Sequence, residues 1–243
     1  MQRMSQEFEL IQHENICTII LKRAHKGNCL SRELVRQLNG VLNQCLENKT
    51  KGLLIRAEGK HFCTGFDLAG LESESDDSLL ARFIEIEMLL QKIYWAPFVT
   101  LVLGQGKVIG AGADIFASCT YRIALDTSSF TFPGAKFGLV LGSRRLAARV
   151  GTSTARDWIN GGRKISAADA LSCGLVTHVC RSEEQESLVT ELLQAQRLSQ
   201  YTQQQIYRAT VLDEGNQAAD LQSLILSIMP GSIKQRISEY INQ

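Results

Sequence analysis

Four glycines, at positions 104, 106, 110 and 112, punctuate the segment L-G-Q-G-K-V-I-G-A-G-A-D. An apolar run over 98–103 leads into them, and a helix-like pattern ending near Cys119 follows. Glycine has no Cβ, so such a segment can lie close to another backbone or to a ligand. A strand feeding a glycine bend and then a helix start gathers unpaired N–H groups and the positive end of the helix dipole at one point. The chemistry on offer is anion recognition, of a phosphate or of an oxygen that becomes negative during a reaction. Asp114 adds an acid to the same turn, and a second glycine loop, E-G-K-H-F-C-T-G-F-D-L-A-G at 58–70, precedes it.

Taken alone, G-x-G-x-x-x-G after a strand, with Asp126 at the end of a later strand, is a loosened dinucleotide-binding fingerprint. The strict spacing places the third glycine one residue earlier, near the start of a domain of alternating strands and helices. Here it lies in mid-chain and the end of the chain reads as helix, which weighs against that use.

The elements that must position these loops follow from periodicity. Residues 8–21 alternate loosely and carry β-branched Ile16, Thr18, Ile19 and Ile20, which predicts a hairpin. A basic loop over 22–31 closes on Ser31, an N-cap for a helix whose face carries Leu34, Val35, Leu38, Val41, Leu42, Cys45 and Leu46. Residues 53–57 predict a short buried strand, and 72–78, acidic and serine-rich, a mobile surface flap. Leu79, Leu80, Phe83, Ile86, Leu89, Leu90 and Ile93 mark an amphipathic helix stopped by Pro97. Beyond Cys119, short strands are expected at 121–125 and 129–132, a helix at 146–150, a capped helix from Ser166 to Gly174 and a strand at 175–179. Ser182 and Gln185 stand at capping-box spacing, and the remainder reads as helical. The order is repeated strand, strand, helix, without the βαβ regularity of a doubly wound sheet.

Composition narrows the partners. A chain of 243 residues, 44% hydrophobic and 21% charged, can bury a sizeable core. Its net charge of +1 gives no general attraction to nucleic acid or membrane, so a small ligand is the better expectation. Seven cysteines without a C-x-x-C pair predict reduced thiols and no metal site, hence a cytoplasmic protein. The first residues, M-Q-R-M-S-Q-E-F, contain no apolar leader segment.

Read together, K-H-F-C-T-G-F-D-L at 60–68 and G-x-x-x-x-I-G-A-G-A-D at 104–114 resemble the paired motifs of the crotonase (enoyl-CoA hydratase/isomerase) superfamily. N-C-L-S at 28–31 resembles that family's N-A-L-S, and A-x-D-A-L-x-x-G-L-V at 167–176 its late helix-strand signature, so the likeness spans nearly all of 8–179. It implies an α/β (α+β) fold, a crotonase/ClpP-like spiral of repeated ββα units over 1–181, followed by a C-terminal helical oligomerisation region over 182–243. It further implies an acyl-CoA thioester as partner, with coenzyme A as part of the substrate and no separate cofactor. Fatty acid metabolism and a homotrimer or dimer of trimers complete what the family suggests.

By motif position, the N–H groups of Phe66 and Ala111 would form an oxyanion hole for a thioester enolate, with Gly65 and Gly110 beside them at the CoA site. Phe66 is bulkier than the residue common there and should narrow the acyl pocket. Arg23, Lys26 and Lys60 lie in loops that in the family run past the nucleotide end of CoA, and Asp67 should brace its loop. Family hydratases hold a water with two glutamates. The first position is Asp114, a candidate acid/base, and the second falls on Gly134, which has no acid. Ser143, Arg144 and Glu72 are further polar residues within conceivable reach, and His61 is expected to be packed or solvated. Hydratase or isomerase chemistry is therefore implied with its reaction open. Thioester hydrolysis, decarboxylation and non-catalytic acyl-CoA binding are the alternatives.

Overall fold

The computed structural model describes residues 7–48, 50–194, 198–210 and 216–242, so the first six residues, in which no leader was read, lie outside the described part. The chain opens with the expected hairpin, β1 (Phe8–His13) and β2 (Ile16–Leu21), paired antiparallel with Phe8 opposite Leu21. Ser31 caps α1 (Arg32–Glu47) by accepting from the Leu34 N–H, and the apolar face from Leu34 to Cys45 is buried. There follow β3 (Gly52–Ala57), α2 (Asp76–Tyr94), β4 (Val99–Gly104), β5 (Lys107–Ile109) and α3 (Ala111–Ser118). Next are β6 (Tyr121–Leu125), β7 (Ser129–Thr131), α4 (Ser143–Val150), α5 (Thr152–Gly161), β8 (Ile165–Ser166), α6 (Ala167–Ser172) and β9 (His178–Cys180). Four helices close the chain: α7 (Gln185–Gln194), α8 (Gln200–Thr210), α9 (Asn216–Ile228) and α10 (Ile233–Ile241).

Two sheets result, with orders β1-β2-β3-β4-β6-β9 and β5-β7-β8. From β2 onward every neighbour in the larger sheet is parallel. Each turn of chain also leaves a short segment in the second layer: Leu30 bridges Phe66, Cys63 bridges Val108, and β5 pairs with β7. That is a spiral of strand, strand and helix, as the resemblance implied. One expectation is corrected. Helices do intervene between parallel strands of the main sheet, so βαβ crossovers exist. The strands nevertheless follow chain order without reversal, and the sheet offers no switch point of the kind that binds dinucleotides.

The core explains the burial pattern. All six residues of β4 are buried, as expected for a parallel strand covered on both faces. On one face, Leu34, Leu38, Phe83, Ile86, Leu90 and Phe116 belong to a continuous core. On the other, Leu54, Val99, Leu101, Leu103 and Ile123 pack with Val189 and Leu192 of α7. Among the described residues, no helix is long and apolar enough to cross a membrane.

Four local expectations differ from what is observed. Residues 72–78 are not a free flap: a 3-10 turn, Leu71–Ser73, leads to Ser75, which caps α2 in a reciprocal box with Ser78. Glu74 in that segment accepts hydrogen bonds from Arg32 and Arg82 at 2.9 Å each, so its acids are fastened by arginines far away in sequence. Residues 152–161 form a helix, α5, that periodicity did not single out. The last strand begins at His178 and not at Leu175. Near 182 the reciprocal cap joins Arg181 to Glu184, because the longer Arg181 side chain makes the contact expected of Ser182.

Candidate active site

The second glycine loop ends in an unusual backbone. Gly110 has φ 52° and ψ −124°, a conformation that is open to glycine and strained for other residues. The bend turns β5 into α3, whose eight residues are all buried, and leaves the N–H of Ala111 at the helix start. The neighbouring N–H groups of Gly110 and Asp114 donate to Thr131 O and Gly110 O. That of Ala111 donates to no described residue.

The first glycine loop lies against the second. Ile109 N donates to Cys63 O at 2.9 Å, and a Cβ built on Gly65 would stand 3.1 Å from Ile109 O and 3.8 Å from Ala111 N. The backbone bonds to Leu30 straddle Phe66: Leu30 N donates to Gly65 O at 2.8 Å, and Asp67 N donates to Leu30 O at 3.1 Å. The Phe66 N–H between them is left unbonded among the described residues. Two free N–H groups, one per loop, therefore stand beside the contact between the loops.

Side chains hold the first loop still. Asp67 accepts from Arg23 at 2.8 Å and from the Ala69 N–H at 3.0 Å, and its carbonyl accepts from Arg82 at 2.8 Å. Burial works against ionisation of Asp67, yet these donors hold its carboxyl below the usual carboxylate range. The Phe66 ring is gripped between the Arg82 guanidinium, 3.9 Å from its centroid, and the Phe83 ring at 4.6 Å. Asp67 is thus a brace, matching the sequence reading.

Of the three cations expected near a nucleotide, two are on the surface and one is not. Lys26 and Lys60 are exposed. Lys60 lines a shallower cavity with Gln105, Gly106 and Thr127, away from the glycine-loop contact. Arg23 is only 8% exposed, because its guanidinium is spent on Glu7, Asp67 and the Cys29 carbonyl. That commitment makes it a brace of the loop and not an outward-reaching cation. His61 is packed, its Nδ1 accepting from the Lys107 N–H at 3.2 Å.

Both loops open onto a cavity of about 230 Å³. Gly65, Phe66, Gly110, Ala111 and Asp114 form one side. Phe83, Phe132, Leu141, Leu146, Ile159 and Tyr240 supply an apolar wall, and no lysine, arginine or histidine lines it. Asp114 is 8% exposed, with no described donor to its carboxylate. Burial pushes its carboxyl up to about 7, Arg145 opposing and Glu87 adding to the shift. A group that gains and loses a proton near neutrality is suited to moving one.

Two glycines frame this acid. Gly134, at the second acid position of the resemblance, lines the cavity, and a Cβ there would meet nothing closer than 3.5 Å. The acid is absent by sequence while space for a side chain exists. Gly142 is the reverse case: a Cβ would fall 1.9 Å from Asp114 Oδ1. Gly142→Ala is therefore expected to push the carboxylate from its place and to destabilise the fold by ~1–3 kcal/mol, measurable by urea denaturation. Unchanged stability would show that the carboxylate moves aside freely.

The structure also brings in residues that sequence reasoning did not assign. Glu87 of α2 and Arg145 of α4 are 0% and 2% exposed and joined by bonds of 2.5 and 3.1 Å. Asp220 of α9 reaches Arg145 at 3.2 Å and Arg144 at 2.7 Å. The available signal was a charge falling on the apolar face of each helix. Ser143 lines the cavity, whereas Arg144 pairs with Asp220 and Glu72 offers only its carbonyl, to Lys234. Among the described residues, no group of three or more histidine, cysteine or acidic side chains could hold a metal ion.

Comparison with known proteins meets this geometry from the other direction. Residues 12–229 match the family described as enoyl-CoA hydratase/isomerase. A Bordetella parapertussis crystal structure assigned to the enoyl-CoA hydratases/isomerases superposes with a TM-score of 0.95 at 32% identity, covering 98% of this chain and 100% of that one. The fold is also that of an enoyl-CoA hydratase from Bacillus halodurans, with a TM-score of 0.83 at 19% identity over 96% of this chain and 100% of the other. A protein of Mycosarcoma maydis named enoyl-CoA isomerase/hydratase fer4 is 27% identical over 72% of this chain and 69% of its own length. The chain belongs to the enoyl-CoA hydratase/isomerase family, also called the crotonase superfamily, of which it is a divergent member.

Proposed function

We propose that the protein binds an acyl-CoA thioester and stabilises the enolate of that thioester with the N–H groups of Phe66 and Ala111. The observation that carries this reading is the pair of unbonded N–H groups on two touching glycine loops, at one side of an apolar cavity that also holds Asp114. Charge that develops on the thioester oxygen is best met by donors already in place, and each donor of this kind is worth ~2.7–4 kcal/mol of transition-state stabilisation. The Ala111 N–H also opens α3, so the helix dipole acts on the same oxygen. Asp114, Cα-adjacent in space to Gly142 and buried, is the group that moves protons. Phe66 narrows the acyl end, Gly65 and Gly110 admit the thioester, and exposed Lys26 and Lys60 are left for the nucleotide end of CoA.

The reaction assigned is of the enoyl-CoA hydratase or isomerase type, with coenzyme A as part of the substrate. A second reading, other acyl-CoA chemistry such as hydrolysis or decarboxylation, or binding without turnover, is favoured by one observation: Gly134 supplies no acid opposite Asp114. The helical region 182–243 is proposed to assemble a trimer or a dimer of trimers. Its support is apolar surface on these helices, with Tyr201 71% and Met229 70% exposed. Seven free thiols fit a reducing compartment such as the cytoplasm.

Calorimetric titration with CoA, a short enoyl-CoA and NADH tests the reading. The enoyl-CoA is expected to bind more tightly than free CoA, and NADH not to bind. NADH binding without CoA binding would overturn it, and thioester binding without turnover of any acyl-CoA class would select the binding-protein alternative.

A further inference from the structure

The cavity has few polar groups besides Asp114, and one of them is the hydroxyl of Ser143, the first residue of α4. No described residue hydrogen-bonds to that hydroxyl. Gly142 gives α4 no side-chain cap, so the first-turn N–H groups of the helix have no acceptor of their own and its positive end is unanswered. Asp114 lies against that end: the carboxylate stands where a Cβ of Gly142 would be, 1.9 Å from it. It is more than nine-tenths buried and without a donor among the described residues. A helix start, a free hydroxyl and an unpartnered buried carboxylate thus meet at one corner of the cavity.

Building on the acyl-CoA reading above, we infer that Asp114 and Ser143 together form a subsite for one oxygen, that of a water molecule or of the 3-hydroxyl in a 3-hydroxyacyl thioester. The carboxylate accepts one hydrogen bond from this oxygen. Ser143 accepts or donates a second, and the α4 N-terminus favours the partial negative charge that the oxygen carries in the transition state. Ser143 then supplies the orientation that an acid at position 134 would give and Gly134 cannot. In the hydration direction, the water oxygen bonds to C3 while Asp114 takes one of its protons. The C2=C3 electron pair shifts toward C2 and the charge reaches the thioester oxygen. Asp114 then returns the proton to C2. The two hydrogens of water end on C2 and on the 3-hydroxyl, and no other reactant is needed.

Binding separates this subsite from the reading beneath it. Calorimetry with butyryl-CoA and 3-hydroxybutyryl-CoA is expected to show the hydroxylated thioester bound ~10-fold more tightly, the size of a hydrogen bond to a charged group. In Ser143→Ala and in Asp114→Asn the preference should fall below about threefold. Ser143→Thr, which keeps the hydroxyl, should retain it, so that loss of the hydroxyl is told apart from disturbance of α4. Equal binding of the two thioesters by the unmodified protein, or a preference that survives Ser143→Ala, overturns the subsite while the acyl-CoA reading stands. Binding of neither thioester overturns both.

Discussion

Asp114→Asn is expected to lower turnover of an enoyl-CoA by ~10²–10⁴-fold, the usual contribution of a positioned general acid or base. The change is nearly isosteric, and the buried site tolerates a neutral side chain, since burial already holds the carboxyl up to about 7. The pH profile carries the sharper signature. With Asp114 as the base, the rate should rise with pH up to about 7 and level off above it, and that limb should vanish in the asparagine variant. Stability should move the other way. The ordinary value for this carboxyl is 3.8, so between about pH 4 and about pH 7 the folded state holds a proton that the unfolded chain has released. Stability contributed by this group is therefore lost as pH rises through that window, and Asp114→Asn should flatten the dependence. A variant with unaltered turnover would remove Asp114 from the mechanism.

Breaking the buried pair beneath the site should have the largest effect on stability. Arg145→Met leaves Glu87, fully buried, facing only Gln91, which donates to it at 2.9 Å. Removing one partner of such a pair costs ~3–5 kcal/mol, because the other charge stays buried and uncompensated. The double variant Glu87→Leu/Arg145→Met should recover much of that loss, since two apolar side chains of similar volume need no pairing. Urea denaturation of the three proteins checks both statements. Arg145→Met should also raise the pH at which Asp114 titrates, because the cation that opposes its upward shift is gone while Glu87 remains. Equal stability of the single variant and the parent would contradict this account of the network.

How much of this was legible in the sequence depends on how locally each feature is encoded. Ser31 followed by a 3.6-residue apolar period fixes α1 within a few residues, and the alternation over 8–21 fixes the hairpin. The two glycine loops could be read because close backbone approach demands glycine at particular positions, and Gly65 and Gly110 are where it is demanded. Partners distant in sequence were not legible. Nothing near Glu74 announces Arg32 and Arg82, and nothing near Glu87 announces Arg145, 58 residues later. Arg23 shows the same limit from the other side: a basic loop suggested a ligand contact, and only the fold brings Asp67 and Glu7 to its guanidinium. Ser143 is likewise placed in the cavity by the packing of α4 against α3, which no local pattern encodes.

The most direct test of the account is a crystal structure of the protein with a non-reacting acyl-CoA bound. The thioester oxygen is expected ~2.7–3.1 Å from both the Phe66 and Ala111 nitrogens, the distance that oxyanion stabilisation requires. A thioester bound with its oxygen turned away from these two N–H groups, or outside the cavity they open onto, would contradict it.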